Sequence, residues 1–144
     1  MTSKNIRVIL DTNVWISFLI GKKLSNFKDF ILDKSVTIIV TEQLLEEIKL
    51  VTEKEKLKKY FPKNCVKELL ELLDIIGENI TIKPTYFLCR DPKDNFLLDL
   101  IDYSNADFLV TGDKDLLEQN PFKTAQIIKP AEFESYLEKK SSNR

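Results

Sequence analysis

The chain has 144 residues, 43% of them hydrophobic, with a formal net charge of −1 and no histidine. Without histidine there is no Ser-His-Asp or Cys-His nucleophile system, no imidazole base and no ordinary zinc site. Two cysteines, Cys65 and Cys89, make no disulfide scaffold, no apolar run is long enough to span a membrane, and Met1 to Arg7 lacks a secretory leader pattern, so a soluble cytoplasmic protein with one core is expected.

Ile6–Leu10 is almost wholly apolar, the pattern of a strand buried on both faces. It runs straight into Asp11-Thr12-Asn13. The spacing of Val14, Trp15, Phe18 and Leu19 predicts a helix over 12–24, and Phe27, Phe30 and Ile31 predict another over 27–33. Val36–Val40 reads as a second buried strand, and Thr41 as the N-cap of a helix reaching about Glu53. A short charged helix over 54–61 follows. Pro62 suits the first turn of a helix ending at Gly77.

Ile80–Lys83 reads as a short strand stopped by Pro84. Asp91-Pro92 caps a helix running to about Ser104, and Asp107–Thr111 is a strand leading into Gly112-Asp113. A short helix over 113–119, a strand over 126–129 and a last helix over 130–139 complete the order. The domain is taken as residues 1–140, with 141–144 a frayed tail. Strand and helix alternate throughout, which predicts an α/β fold with a mainly parallel sheet and helices on both faces.

Ligands of open α/β sheets bind beyond the carboxyl ends of the strands. Asp11 and Asp113 stand at two such ends, and like charges brought together call for a cation. With histidine absent, the cation is a hard one, Mg²⁺ or Mn²⁺, held by carboxylates. Further ligands are sought on the helices at 100° per residue. In the helix after Thr41, Glu47 lies at the edge of the Leu44, Leu45, Ile48, Val51 arc, whereas Glu46 points away. In the helix after Asp91, Asp94 stacks with Leu97, Leu98 and Ile101, while Asn95, Asp99 and Asp102 fall outside the buried arc. Capping alone accounts for Asp11, Asp91, Asp94 or Asp113 taken singly; it is the set that points to a site. Lys54, Lys56, Lys58 and Lys59 form the densest basic run, either a solvated helix face or a phosphate-contacting rim.

Four segments, in order and spacing, resemble the PIN domain nucleases over nearly the whole chain. They are Val8–Val14, Thr41–Ile48, Arg90–Asn95 and Leu109–Leu116. The third is similar to that of the branch labelled as toxins of toxin–antitoxin systems. The resemblance implies a Rossmann-like, three-layer α/β/α sandwich with about five strands, and a Mg²⁺- or Mn²⁺-dependent endoribonuclease cutting single-stranded RNA. It implies Asp11, Glu47, Asp94 and Asp113 as catalytic, metal-holding acids, with Asn13, Thr111, Asp115 and Asp91 in support. Lys56, Lys58 and Lys59 are the expected RNA contacts. An antitoxin protein is an implied partner, and the residues leave open whether copies form a homo-oligomer. Two rival readings stand beside this one: an RNA-processing nuclease of the same fold outside any toxin system, and a receiver-like, aspartyl-phosphate signalling domain built on Asp11. For an aspartyl-phosphate enzyme, Asn13 is a poor substitute for the acid/base usually found two residues on.

Overall fold

The computed structural model describes residues 6–21, 36–54, 58–59, 63–86 and 94–142. In chain order these form β1 (Ile6–Leu10), α1 (Thr12–Gly21), β2 (Val36–Val40), α2 (Glu42–Thr52), α3 (Lys63–Ile76), β3 (Glu78–Asn79), α4 (Asn95–Ser104), β4 (Phe108–Val110), α5 (Lys114–Leu117), β5 (Gln126–Ile128) and α6 (Pro130–Ser142). The five strands make one sheet in the order β3-β2-β1-β4-β5, and every pairing is parallel. The expected helix over 27–33, the Asp91-Pro92 cap and Lys56 lie outside the described residues.

Strand alternation sorts the core into two layers. Val8, Leu10, Ile38, Val40 and Val110 face α1, α2, α3 and α6, meeting Trp15, Leu44, Ile48, Leu73 and Phe133. Ile9, Ile39, Leu109 and Ile127 face the other way, onto Leu97, Leu98, Leu100 and Ile101 of α4 and Leu116 of α5. β1, β2, β4 and β5 are mostly apolar because both faces of the sheet are covered, which makes the three-layer sandwich, whereas the short edge strand β3 is polar and exposed.

Three sequence expectations need correction. The strand after α3 is Glu78–Asn79, two residues before the predicted one; Ile80 donates its N–H to Val40 O at 2.9 Å and the chain then leaves the sheet. Ile80 and Ile82 owe their apolar character to packing against the α4 layer, not to strand pairing. Asn95 and Asp99 are buried although the wheel put them outside the arc. Segment 80–86 covers that side of α4, and Asp99 Oδ1 accepts the N–H groups of Thr85 and Tyr86 at 2.9 and 3.0 Å. Finally, α6 continues to Ser142, past the expected end of the last helix at residue 139.

At the amino edge of the sheet, Arg7 ties three elements together. Its backbone N–H goes to Asp107 Oδ2 at 2.9 Å, its Nε–H to Ser104 O at 2.9 Å, and its guanidinium to Glu78. Gly77 lets α3 end against β2: a Cβ there would press into the Leu73 carbonyl oxygen and lie 2.9 Å from Val40 Cγ2. Gly77→Ala should therefore lower stability by about 1–3 kcal/mol, the usual cost of overpacking. Urea denaturation checks this; an unchanged midpoint would mean the α3–β2 junction yields freely.

Candidate active site at the β1–β4 junction

From β1 the chain steps outward to β2 and β3, then returns to lay β4 on the other side of β1. The topological switch point therefore lies between β1 and β4, where a crevice opens beyond the carboxyl ends. Leu10 pairs with Val110, so the next residues, Asp11 and Thr111, face each other across the two strands. The ladder continues that far: Asp11 donates its N–H to Val110 O at 3.0 Å, and Thr111 donates its own to Ile128 O at 2.9 Å.

A chain of hydrogen bonds starts from this pairing. The Thr111 hydroxyl donates to Asp11 Oδ2 at 2.7 Å, and Thr111 Oγ1 accepts the Asp113 N–H at 3.1 Å. Asp113 Oδ1 in turn accepts the Asp115 N–H at 2.8 Å, capping α5. Asp11 has an equivalent role for α1, its carbonyl receiving the N–H groups of Val14 and Trp15 at 2.9 and 3.2 Å. Both strand-end acids thus start the following helix as well as occupying the crevice.

Asp11 is 6% exposed. Burial raises its pKa above the ordinary carboxylate value. The Thr111 hydroxyl and the backbone N–H groups of Asn13 and Thr12 oppose the rise, and the negative Asp113 adds to it. Beside Asp11, the hydroxyl of Thr12 is buried and finds no hydrogen-bond partner among the described residues. The expectations from sequence had overlooked it; a polar residue next to a strand-end acid was the available signal. A desolvated anion beside a second anion and an unanswered hydroxyl is a setting that a bound cation and its waters would relieve.

Glu47 is half-buried and Glu46 exposed, the order the helical wheel predicts. Glu46 lines a groove of about 930 Å³ between α2 and α3, with Leu45, Val66 and Leu70, alongside Lys49, Lys58 and Lys67. Asp94 is half-buried at the N-cap position of α4, with no side-chain cap bond. Because α4 ends beside Arg7 at the amino edge, its first turn is directed toward the carboxyl edge. Asn13, Lys58 and Lys59 are exposed, and Asp115 is half-buried. Among the described residues no group of three or more acidic or cysteine side chains is set up to hold a metal ion. The hydrogen bonds join Asp11, Thr111, Asp113 and Asp115; Glu47 and Asp94 stand on flanking helices. A Mg²⁺ ion is commonly held by one or two carboxylates with waters completing its shell, so the Asp11–Asp113 pair suits one.

Comparison with known proteins agrees with this architecture. Residues 7–115 match the PIN domain family, and the chain belongs to that family. The uncharacterized protein MJ1680 of Methanocaldococcus jannaschii is 29% identical over 120 residues, spanning 81% of this chain and 77% of the relative. Among solved structures, PAE2754 from Pyrobaculum aerophilum superposes with a TM-score of 0.59 at 14% identity, over 92% of this chain and 95% of the other. VapBC2 from Rickettsia felis, bound to a DNA fragment from its promoter, gives 0.55 at 17% identity, over 85% and 98%. These two show a shared fold.

Two outcomes follow from the geometry. Thr111→Val removes the donor to Asp11 and the acceptor for the Asp113 N–H, and should cost about 1–3 kcal/mol, with Thr111→Ser restoring most of it. Burial also gives Asp11 a pH signature. Its contribution to stability is full below the unfolded value, near 3.8, and is lost as pH rises through the raised folded value. Metal-free Asp11→Asn should therefore equal or exceed wild-type stability at neutral pH, and wild type should regain ground on acidification. Denaturation midpoints at stepped pH test this; a difference flat with pH would show that the Asp11 pKa is not raised.

Proposed function

We propose that this chain is a Mg²⁺- or Mn²⁺-dependent endoribonuclease that hydrolyses phosphodiester bonds in single-stranded RNA, acting in the cytoplasm as the toxin of a toxin–antitoxin pair. The observation that carries this reading is the buried Asp11 carboxylate, oriented by Thr111 and set beside Asp113 at the switch point of the sheet. Membership of the PIN domain family supports nuclease chemistry. The likeness in fold to Rickettsia felis VapBC2 supports the toxin role and a protein antitoxin as partner.

In this reading Asp11 and Asp113 hold the metal, with Glu47 and Asp94 completing the acidic set. When bound, the ion lowers the pKa of a water and offsets the charge of the scissile phosphate. Thr111 opposes the rise that burial gives the Asp11 pKa and fixes the carboxylate's direction through its donated hydrogen bond. Asp115 steadies the turn that presents Asp113, and Asn13 orients groups around the crevice; Asp91, outside the described residues, keeps the supporting role that the family resemblance implies. Lys56, Lys58 and Lys59 meet phosphates of the incoming strand.

Cleavage of a labelled single-stranded RNA with Mn²⁺, Mg²⁺ or EDTA tests the proposal. Wild type should cut only with metal, and Asp11→Asn or Asp113→Asn should lower the rate by about a hundredfold or more. The same variants should lose the rise in melting temperature that Mn²⁺ gives wild type. Metal-independent cleavage, or full activity of both variants, would overturn it. For the lysines, replacing Lys56, Lys58 and Lys59 together should flatten the salt dependence of RNA binding by about 0.7 in logarithmic slope per lost contact. An unchanged slope would leave the run a solvated face.

A further inference from the structure

Asp11 has a threonine beside it on either side. Val8 pairs with Ile38 and with Phe108, so three residues further along, Thr41, Asp11 and Thr111 form one row at the ends of β2, β1 and β4. Each lies two residues past an apolar member of the α4 layer, Ile39, Ile9 or Leu109, so strand alternation turns all three to the same face. Thr41 keeps extended backbone, φ −141° and ψ 161°, which carries the alternation that far. Neighbouring strands lie roughly 4.8 Å apart, so Thr41 is as close a neighbour of Asp11 as Thr111 is. Both threonines are buried, and each engages the residue two places on. Thr111 Oγ1 accepts the Asp113 N–H, and the Thr41 hydroxyl donates to Gln43 Oε1 at 2.9 Å.

Thr41 occupies the N-cap position of α2, where a threonine ordinarily accepts a first-turn N–H, yet it makes no such bond. It holds the Gln43 side chain instead. A carboxamide has one acceptor oxygen and two N–H donors, and with the oxygen engaged by Thr41 the nitrogen is left to give. Gln43 is exposed, and among the described residues nothing accepts from its amide nitrogen. Fixing a long exposed side chain costs rotamer freedom, and a ligand that meets it already fixed is spared that cost. Carboxylates and a phosphodiester are both acceptors, so direct hydrogen bonds to a phosphate must come from donors around the acids. We propose that Gln43 is a substrate-positioning residue, its amide N–H groups donating to a phosphate oxygen of the single-stranded RNA on the β2 side of Asp11. This rests on the nuclease reading above. The β4 side of the row then serves the cation through Asp113, and the β2 side serves the strand.

The test compares wild type, Gln43→Glu and Gln43→Met on a labelled single-stranded RNA with Mn²⁺. Glutamate keeps an oxygen for Thr41 but replaces the donor with a negative acceptor; methionine keeps the length and offers neither. Gln43→Glu should melt at or above wild type, since an acid suits the first turn of a helix. Gln43→Met should melt slightly below it, with the Thr41 hydroxyl left unanswered. On RNA, KM should rise by about tenfold for methionine, the loss of one hydrogen bond to a charged group, with kcat within about twofold. For glutamate the rise should be larger and should shrink toward the methionine value as salt is added. The rise in melting temperature that Mn²⁺ gives should persist in Gln43→Met, since no ligand of the ion is touched. Wild-type RNA kinetics in the methionine variant would overturn the proposal even if glutamate weakened binding, because added charge alone would then account for the effect. Loss of the Mn²⁺ response in that variant would overturn it too, assigning Gln43 to support of the acidic pair. A wild type that neither binds nor cuts the RNA would instead bring down the nuclease reading, and this inference with it.

Discussion

A carboxylate held almost out of water at the end of the central strand governs this molecule. Asp11 is buried because β1 lies in the middle of the sheet, and a buried anion must be answered by donors or counter-charge. The donors come from β4, one register step beyond Leu10–Val110, through a hydroxyl whose own oxygen receives the Asp113 amide. Backbone pairing, side-chain hydrogen bonding and the starts of two helices are thus one connected system. Loosening the β1–β4 ladder would unseat all of them together.

The opposite edge of the sheet is electrostatically settled. There Arg7 meets Glu78, Asp107 and the end of α4, so charges of both signs are paired. At the carboxyl edge the negative Asp113 adds to the cost of the buried Asp11, and the Thr12 hydroxyl finds no partner among the described residues. The fold thus keeps two like charges together at the carboxyl edge and draws its stability from two apolar layers. Such an arrangement is what a site for an external cation requires.

Much of the fold was legible because doubly covered strands leave an unmistakable trace. Ile38–Val40 and Phe108–Val110 are continuous apolar runs, and helices between them leave few topologies for a parallel sheet. The division of each strand between two core layers is hidden in such runs, since both alternate positions are apolar. The edge strand was misplaced for a related reason. Ile80 and Ile82 look like strand residues, but their apolar surface is used against α4, while Glu78 and Asn79 make the backbone pairing. On α2 the order of exposure follows the wheel, with Glu47 half-buried and Glu46 exposed, because the helix has one buried face. It failed at Asp99 because α4 is covered on more than one side by a segment no periodicity announces. Hydrogen bonds such as Thr111 to Asp11 were legible only as a matching of strand ends. Their direction, and the unanswered Thr12 hydroxyl, required coordinates.

The order of the strands has a consequence for how the protein comes into being. The partner of β1 that completes the acidic pair lies 100 residues further along the chain, and closing so long a loop is entropically slow to reward. A nascent chain that has released β1, β2 and β3 can begin its sheet, yet Asp11 then stands alone at an unfinished border. Only when β4 and the turn after it are free does the second carboxylate arrive. In the nuclease reading proposed above, pairing of β4 with β1 is therefore the step that completes the acidic pair.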